Sequence, residues 1–350
     1  MKNALLISDR EQRYYYESFI EPARALGVNL CLFDTASYPT KLRFSYRLTQ
    51  GVLDGRIDAI DLQNNRVRTL DLQEINVAWY LRPGPVSIRA EMTKNEARFA
   101  RGEADAAIDS LCATLPCAWI NSKEHTQRLE QNKLLQQLIA ERCGLRSPST
   151  VISNDPSGVT AFMGDQTHLL LKTLGHSKVD DDDALFIYSQ LVGRRQINQS
   201  RTAIRSCPIF AQHYVDKLCE YRIMTIGDEV LSCRIDSQAS DRTKIDWRHY
   251  DFDNVQHTAA ELPVAIRRRV LRFMKAIGLR FGALDMIETP SGDFIFLEIN
   301  PAGQWDWIWK LAGLDIPGAV ARMLAAAANR CAEPSHPVSD RASQDSDLES

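Results

Sequence analysis

The segment from Phe281 to Pro301 contains carboxylates whose spacing could support metal chemistry. It comprises two apolar runs separated by Pro290-Ser291-Gly292-Asp293, a combination typical of a turn between paired strands. A symmetric loop at these residues would place Asp285 directly opposite Glu298 in a β-hairpin. Asn300 comes two positions after Glu298, so its side chain would point to the same face of the strand.

Two carboxylates that face each other in this way need compensation. Their Cβ atoms would be roughly 4.5–5.5 Å apart, a distance at which like charges destabilise a sheet. A shared proton or a bound cation relieves the repulsion, and carboxylate and amide oxygens suit Mg²⁺ when phosphates complete its coordination. The alternative is an ordinary solvated face of a hairpin. Because Phe294 and Phe296 are expected on the same face, we favour a metal site made of Asp285, Glu298 and Asn300.

Lysines in apolar or helical segments indicate where an anion could bind. Lys172 lies within Leu169-Leu170-Leu171-Lys172-Thr173-Leu174, so it needs an anionic partner or a route to water, and a position on an edge strand is the alternative. Lys133 is expected at the beginning of a helix, where its charge opposes the helix dipole. The sequence contains neither Gly-x-x-x-x-Gly-Lys-Ser/Thr nor Gly-x-Gly-x-x-Gly, which argues against a P-loop fold and a dinucleotide-binding fold.

The charge balance argues against nucleic acid as a partner. The 350 residues include 42 Lys and Arg and 45 Asp and Glu, for a formal net charge of −3. Acidic residues in 331–350 account for that charge, so the rest of the chain is nearly neutral and lacks the basic footprint that nucleic acid requires. No apolar run reaches the length of about 18 residues that a spanning helix needs, so no membrane partner is expected.

The cysteines and histidines are typical of a reduced, cytoplasmic protein. None of the eight cysteines forms a Cys-x-x-Cys pair, and the seven histidines lack the spacing of zinc ligands. We therefore expect free thiols, a cytoplasmic location and no zinc site.

The pattern of apolar residues predicts an α/β protein whose first domain covers 1–120. Strands are expected at 4–8, 28–33 and 77–81, with a β-hairpin between 42 and 72. Helices are expected at 15–26 and from Asn95, as the capping residue, to about Leu115.

A second region covers 121–208. Its first helix is expected at 130–143 with one apolar face made of Leu134, Leu135, Leu138 and Ile139. Strands are expected at 150–153 and 169–174, on either side of a short helix capped by Ser157. The run from Asp180 to Asp183 is expected to be an exposed turn.

A third region covers 209–330. Strands at 209–215, 219–226 and 230–236 precede a helix at 262–277, the hairpin at 281–300 and a last helix at 317–329. The remaining residues, 331–350, form an acidic tail rich in Ser and Pro that is expected to be disordered.

Four segments of the sequence resemble the ATP-grasp superfamily. They are Asn132-Lys133 with Pro148-Ser149-Thr150; the strand that contains Lys172; Phe210-Ala211-Gln212-His213-Tyr214-Val215 with Glu220-Tyr221-Arg222-Ile223; and Phe281-Gly282-Ala283-Leu284-Asp285 with Phe296-Leu297-Glu298-Ile299-Asn300-Pro301. Within that superfamily the closest likeness is to the peptide maturases that make graspetides, of the microviridin type. That likeness rests on Gln304-Trp305, Asp246-Trp247-Arg248 and Trp79-Tyr80-Leu81-Arg82-Pro83.

The resemblance implies an ATP-grasp fold with an N-terminal pre-ATP-grasp α/β domain. The small lobe and linker would cover 121–208, and the C-terminal lobe 209–330. The sequence departs from the superfamily at Gln212, where many members have Glu; glutamine accepts a hydrogen bond equally well but lacks the charge. It also has Asn300-Pro301-Ala302-Gly303, whereas Asn-Pro-Asn-Gly is common in the superfamily.

The resemblance also implies a role for each matched residue. Lys133 and Lys172 would hold the phosphates of ATP, and Arg222 and Lys172 would stabilise charge during phosphoryl transfer. The nucleoside would be held by Gln212 and the main chain at Tyr214 and Val215, which bind adenine, and by Glu220, which binds the ribose. The implied ligands of Mg²⁺ are Asp285, Glu298 and Asn300.

The implied activity is that of an ATP-dependent, ADP-forming ligase. An Asp or Glu side chain of a ribosomal precursor peptide would be activated as an acylphosphate, and a Ser, Thr or Lys side chain of the same peptide would attack it to form an ester or amide ring. The partner would be the leader and core of that peptide, and a homodimer is compatible with the resemblance. Alternatives are an amino-acid ligase of the ribosomal-protein glutamate ligase type and a non-catalytic binding module.

Overall fold

The chain forms two compact units. The computed structural model describes residues 1–130, 132–175, 178–179 and 185–330. One unit consists of Met1–Ser122 together with the chain from Ala321 onward, and the other is Lys123–Val320. The predicted α/β class is confirmed. The predictions for Asp180 to Asp183 and for the acidic tail 331–350 fall outside the described residues.

The first unit is built on a mixed sheet. Its strands are β1 (Lys2–Ser8), β2 (Val28–Asp34), β3 (Phe44–Thr49), β4 (Val52–Asp61), β5 (Arg66–Asp71), β6 (Ile75–Arg82) and β7 (Ala118–Trp119). They are ordered β3-β4-β2-β1-β6-β7, and β5 pairs with β4. The central strand β1 runs parallel to both β2 and β6. Because β1 and β2 lie inside the sheet, their apolar side chains are buried, which explains the near-continuous hydrophobic runs in the sequence.

The helices of the first unit differ from the prediction in two places. They are α1 (Arg13–Tyr16), α2 (Ile20–Ala25) and α3 (Lys94–Thr114). The single helix predicted at 15–26 is interrupted because Pro22 has no N–H to donate to the carbonyl of Ser18 and its ring crowds that group. The cap of α3 is Thr93 rather than Asn95, since Thr93 and Glu96 form a reciprocal capping box.

The second unit begins with a small lobe. Its strands are β8 (Thr150–Ser153), β9 (His168–Lys172), β10 (Lys178–Val179), β11 (Leu185–Phe186), β12 (Gln190–Gly193) and β13 (Ile209–His213). Four of them form an antiparallel sheet in the order β12-β9-β13-β8, and β10 pairs with β11. Since β9 has a neighbour on each side, the alternative that Lys172 lies on an edge strand is wrong.

The helices of this part are α4 (Lys123–Glu130), α5 (Lys133–Arg142), α6 (Pro156–Met163), α7 (Arg194–Gln199) and α8 (Arg201–Ser206). The cap of α6 is Asp155 rather than Ser157, because the Asp155 carboxylate accepts from the main-chain N–H groups of Ser157 and Gly158. The buried side chains of α5 are Gln136, Gln137 and Ala140. Leu135 and Ile139 pack against the core as predicted, but Leu134 and Leu138 are exposed, so half of the predicted apolar face is wrong.

A larger sheet completes the second unit. Its antiparallel strands are β14 (Cys219–Ile226), β15 (Glu229–Ile235), β16 (His257–Ala259), β17 (Phe281–Glu288) and β18 (Phe294–Asn300). They are ordered β16-β15-β14-β17-β18, which leaves β18 at an edge. The remaining helices are α9 (Val264–Ile277), α10 (Asp306–Ala312) and α11 (Ile316–Ala328), and α11 belongs to the first unit from Ala321 onward. The apolar face of α9 covers the sheet, with Phe273 packed edge-on against Phe296 at 5.1 Å between ring centroids.

The hairpin of β17 and β18 has a different loop from the one predicted. Glu288 pairs with Phe294, so the loop is one residue longer, and a bulge near Leu297 then shifts the register. The two departures cancel at Asp285, which still pairs with Glu298. Phe294 and Phe296, however, point into the core rather than to the face of Glu298, because the bulge reverses the alternation of side chains.

No helix among the described residues combines the length and the hydrophobicity needed to cross a membrane. The seven cysteines within the described part of the chain are free thiols, and all of them except Cys207 are buried.

Candidate active site

A row of four charged side chains crosses the larger sheet of the second unit. Arg222 on β14 pairs in register with Asp285 on β17, and Asp285 pairs with Glu298 on β18. Lys133 at the start of α5 adds the fourth charge through an ion pair of 3.1 Å between its Nζ and Glu298 Oε2. The predicted opposition of Asp285 and Glu298 is therefore confirmed, and each carboxylate has a cation on its outer side.

Arg222 holds Asp285 in a buried ion pair. Its Nη1 donates to both carboxylate oxygens at 2.9 Å, and its Nη2 donates to the main-chain oxygen of Gln304 at 3.3 Å. Its Nε is buried without a hydrogen-bond partner among the described residues. Burial raises the pKa of Asp285, although the neighbouring guanidinium opposes that rise.

Lys133 compensates Glu298 from the opposite side. Its Nζ also donates to the main-chain oxygen of Thr173 at 3.1 Å. Burial alone would raise the pKa of Glu298, but Lys133, Lys172 and Arg248 outweigh burial and lower this pKa to about 2. Glu298 is therefore ionised at neutral pH, and Asp285 is the member of the pair that takes up a proton first.

Lys172 lies at the end of β9 and faces the same carboxylate. Burial lowers the pKa of Lys172 to about 8, although the nearby Glu298 acts in the opposite direction. An anion placed beside this ammonium would favour its charged form, which fits the expectation that Lys172 requires an anionic partner.

Most of the predicted site residues line one cleft between the two sheets of the second unit. The cleft is open to solvent, and its empty volume including the mouth is about 790 Å³. The predicted residues that line it are Lys133, Lys172, Gln212, Tyr214, Val215, Glu220, Asp285 and Glu298. Arg222 contacts this cleft through Asp285, to which it donates two hydrogen bonds.

Asn300 lies at the end of β18, next to a glycine that leaves room for it. It pairs with Ala283, on the side of the sheet that carries Asp285. A Cβ atom at Gly303 would lie 2.8 Å from Nη2 of Arg222 and 3.2 Å from Cβ of Asn300. It would lie closer still to Cβ of Ala283, so only glycine lets the chain after β18 pass this close to the three side chains.

Gln212 presents a buried acceptor without a donor. Its Nε2 donates to Oγ1 of Thr150 at 3.0 Å. Its Oε1 is buried and has no hydrogen-bond partner within the described part of the chain. A buried carbonyl in this state costs stability, so a ligand that donates a hydrogen bond here would bind favourably.

Glu220 is paired with a lysine that sequence reasoning missed. Lys217 Nζ donates to Glu220 Oε1 at 2.6 Å and to the main-chain oxygen of Ile245 at 3.2 Å. Both side chains are almost fully buried and line the cleft. Burial raises the pKa of Glu220, and Lys217 opposes the rise. The sequence does contain a signal that could have identified Lys217: it lies between 210–215 and 220–223, the two segments that resemble ATP-grasp proteins.

Arg248 is a second residue of the cleft that was not predicted as a site residue. Its guanidinium forms a bidentate ion pair with Asp246, at 2.8 Å from Nε to Oδ1 and 2.5 Å from Nη2 to Oδ2. Asp246 also accepts from the main-chain N–H of Ser189 on the small lobe. Burial disfavours the charge of Asp246, but Arg248 outweighs it and lowers the pKa of the carboxyl. The motif Asp246-Trp247-Arg248 was noted only as part of a resemblance.

The donor set fits a hard divalent cation that also binds ligand oxygens. Asp285 and Glu298 supply facing carboxylates, and Asn300 supplies an amide oxygen on the same strand as Glu298. Within the described residues, no group of three or more His, Cys, Asp or Glu side chains forms a self-contained metal site. A cation at Asp285 and Glu298 would thus take further oxygens from Asn300 and from a bound ligand.

The ion pair of Arg222 and Asp285 predicts the effect of removing the arginine. Arg222→Met leaves a buried carboxylate without its cation and should lower the free energy of unfolding by about 3–5 kcal/mol at neutral pH. The loss should shrink as the pH falls, because protonation of Asp285 removes the uncompensated charge. Chemical denaturation at several pH values measures both effects. Arg146→Met is the control, since its ion pair with Asp293 is largely exposed and should contribute little; equal losses in the two variants would contradict the assignment.

The sequence matches no protein-family model and no curated protein. The structure, by contrast, is similar to several solved structures over nearly its whole length. A RiPP-associated ATP-grasp ligase from Chryseobacterium gregarium, in complex with ADP and a leader and core peptide, has a TM-score of 0.85 and is 23% identical, over 95% of this chain and 99% of that chain.

Two further structures extend the comparison. The macrocyclase MdnC from Microcystis aeruginosa, bound with the precursor peptide MdnA, has a TM-score of 0.78 and is 24% identical, over 93% of this chain and 99% of that chain. The D-cycloserine synthetase DcsG is 12% identical with a TM-score of 0.58, over 93% of this chain and 99% of that chain. Likeness at these identities establishes the fold: the chain has the ATP-grasp fold of these proteins.

Proposed function

We propose that this chain is an ATP-dependent, ADP-forming ligase that makes ester or amide crosslinks within a ribosomal precursor peptide. One observation carries the proposal. The facing carboxylates of Asp285 and Glu298 share a cleft with Lys133 and Lys172 and with Oε1 of Gln212, a buried acceptor that has no partner among the described residues. Such a cleft offers oxygen ligands for a cation, ammonium groups for phosphates and an acceptor for an aminopurine.

Lys133 and Lys172 would hold the phosphates of ATP. They come from different elements, the start of α5 and the end of β9, and both lie near Glu298. This arrangement would place the phosphates next to the facing carboxylates. The lowered pKa of Lys172 makes its charge responsive to a phosphate beside it.

The nucleoside would be held at the other end of the cleft. Oε1 of Gln212 would accept from the amino group of adenine, and the main chain at Tyr214 and Val215 would bind the ring edge. Glu220 would accept from the ribose hydroxyls, with Lys217 keeping its carboxylate in place.

Asp285, Glu298 and Asn300 would hold Mg²⁺, which when bound neutralises phosphate charge and orients the triphosphate. Arg222 keeps Asp285 oriented through two hydrogen bonds, and Lys133 keeps Glu298 oriented through the ion pair. These contacts hold the carboxylates in position before any ligand arrives.

Charge that develops during phosphoryl transfer would be stabilised by Lys172 and Arg222. Arg222 would act through Asp285, to whose carboxylate its Nη1 donates two hydrogen bonds. Arg248, fixed by Asp246, adds a further cation on the cleft wall. The chain thereby contributes positioning and electrostatic stabilisation, and the reaction requires no nucleophile from the protein.

The proposed reaction has two steps, activation of a carboxylate and closure of the ring. A carboxylate oxygen of the peptide attacks the γ-phosphorus of ATP, and ADP leaves. A hydroxyl or amine of the same peptide then attacks the acyl carbon, phosphate leaves, and the attacking group loses its proton. The peptide therefore loses one water for each ring formed.

A precursor peptide is the proposed partner because the Chryseobacterium gregarium ligase and MdnC were both captured with such peptides. We extend this to recognition of a leader and a core segment here. The reaction would take place in the cytoplasm, where free thiols such as the described cysteines persist. A homodimer is the oligomeric state that we would test first.

The facing carboxylates predict the effect of neutralising either one. Asp285→Asn or Glu298→Gln should abolish ADP formation, because each removes a charged oxygen ligand, while the circular dichroism spectrum stays native. Asp293→Asn in the loop of the same hairpin is the control, since that carboxylate is exposed and pairs with Arg146 at 3.0 Å. Unchanged turnover in the Asp285 and Glu298 variants would refute the assignment.

The lowered pKa of Lys172 predicts how ATP binding depends on pH. Lys172 loses its charge as the pH rises through about 8, so the KM for ATP should rise in the same range. Lys172→Ala should raise KM throughout, whereas Lys172→Arg should remove the pH dependence because a guanidinium does not titrate there. Steady-state kinetics against pH test this; a KM that is indifferent to both substitutions would place Lys172 outside the site.

Intact-mass spectrometry tests the proposed function directly. The protein is incubated with ATP, Mg²⁺ and a candidate precursor peptide that contains Thr or Ser and Glu or Asp residues. A product lighter by one water per ring, formed together with ADP, is the expected result. A product heavier by an added amino acid would instead identify an amino-acid ligase, and ATP binding without ADP formation for any peptide would identify a binding module.

A further inference from the structure

The buried face of α5 carries an amide where the sequence suggests an apolar face. Gln136 is 1% exposed, whereas Leu134 and Leu138 are about half exposed. Burying a primary amide is unfavourable unless its donors and its acceptor are used. Gln136 uses both, which indicates that the position is occupied for its hydrogen bonds.

Gln136 pairs with β18 as a neighbouring strand would. Its Oε1 accepts from the main-chain N–H of Ile299 at 3.0 Å, and its Nε2 donates to the main-chain oxygen of the same residue at 3.1 Å. The second proton of Nε2 goes to the main-chain oxygen of Leu129 at 2.8 Å. One side chain thus satisfies the main-chain N–H and C=O of Ile299 and links β18 to the end of α4 through hydrogen bonds.

The contact lies at the unpaired edge of the larger sheet. Among the strands that the structure describes, β18 has β17 on one side and only an isolated bridge from Arg146 to Ile295 on the other. Farther toward the start of β18, the main-chain oxygen of Arg146 accepts from the N–H of Phe296 at 2.7 Å. Gln136 and Arg146 therefore cover this edge on either side of the bulge at Leu297, where the strand would otherwise be least constrained.

Ile299 stands between two of the proposed metal ligands. Glu298 precedes it and Asn300 follows it, so both side chains project from the stretch of main chain to which Gln136 hydrogen-bonds. Lys133, one turn earlier on α5, contacts the Glu298 carboxylate itself. One face of α5 therefore fixes both the side chain of Glu298 and the backbone that carries Glu298 and Asn300.

We propose that Gln136 is a positioning residue for the divalent-cation site, which holds β18 at the depth where Glu298 and Asn300 can bind a cation together. The proposal rests on the proposed function, because it assigns the cation to these residues. Gln136 touches neither the cation nor the nucleotide in this account. Replacing Gln136 would therefore weaken nucleotide binding in the presence of the cation and leave the affinity without the cation unchanged.

The test compares ADP binding with and without Mg²⁺ by isothermal titration calorimetry. In the wild-type protein Mg²⁺ should strengthen ADP binding. In Gln136→Met, which keeps the volume but loses both contacts to Ile299, this strengthening should fall by about 10–100-fold, as is typical when the partners that orient metal ligands are removed. ADP affinity without Mg²⁺ should stay unchanged, a separation that a general loss of structure would not produce.

Gln137→Met is the matched control. Gln137 is the next residue of the same helix and is also buried, but its amide nitrogen has no hydrogen-bond partner among the described residues. This variant should keep the wild-type response to Mg²⁺. Hydrogen exchange without any ligand gives a second readout, since the peptide that covers 294–300 should exchange faster in Gln136→Met than in Gln137→Met.

The outcomes separate the two proposals. If the wild-type protein binds no ADP under either condition, both the proposed function and the inference fail. If Mg²⁺ strengthens binding equally in wild type and Gln136→Met, or the exchange of 294–300 is unchanged, the inference alone is overturned. Should Gln136→Met not fold, Gln136→Asn, which keeps an uncharged amide but shortens the side chain by one methylene, is judged by the same criterion.

Discussion

Two carboxylates that face each other inside a sheet are tolerated only when neighbouring charges compensate them. Here Asp285 and Glu298 lie opposite one another, with Arg222 against the first and Lys133 against the second. The row of charges spans three strands and one helix, so it requires the register of β14, β17 and β18 together with the position of α5. Burial raises the pKa of both carboxyls, but that of Glu298 falls because Lys133, Lys172 and Arg248 outweigh burial, whereas that of Asp285 still rises.

Strand alternation and turn chemistry predicted this pair correctly, but only because two departures from the assumed hairpin cancel. The prediction assumed a symmetric loop, whereas the structure has a longer loop and a bulge near Leu297 that restores the pairing of Asp285 with Glu298. The bulge could not be foreseen because it depends on packing: it allows Phe296 to reach the core while Glu298 faces the cleft. The isolated lysines Lys133 and Lys172 were found because a lysine conflicts with its helical or apolar surroundings, whereas Gln212, Tyr214 and Val215 were found only through the family resemblance.

Residues that act across long sequence separations were missed. Gln136 contacts Ile299, far along the chain, and Asp246 accepts from the main chain at Ser189. No local pattern marks such contacts, and the periodicity of α5 pointed to its leucines instead. Lys217 was overlooked because a lysine beside a loop is ordinarily exposed, whereas here it is buried against Glu220. Which buried partner a charged or amide side chain pairs with, whether far along the chain or three residues away, is therefore what sequence reasoning could not supply.

The central claim is that the facing carboxylates and the neighbouring amide hold a cation that carries the triphosphate. A crystal structure of this protein with Mg²⁺ and a non-hydrolysable ATP analogue tests it most directly. The account predicts Mg²⁺ bound by Asp285, Glu298 and Asn300, with phosphate oxygens completing its coordination beside Lys133 and Lys172. An analogue bound in the cleft with its cation held by other residues, or a cleft that holds neither cation nor phosphate, would contradict the account.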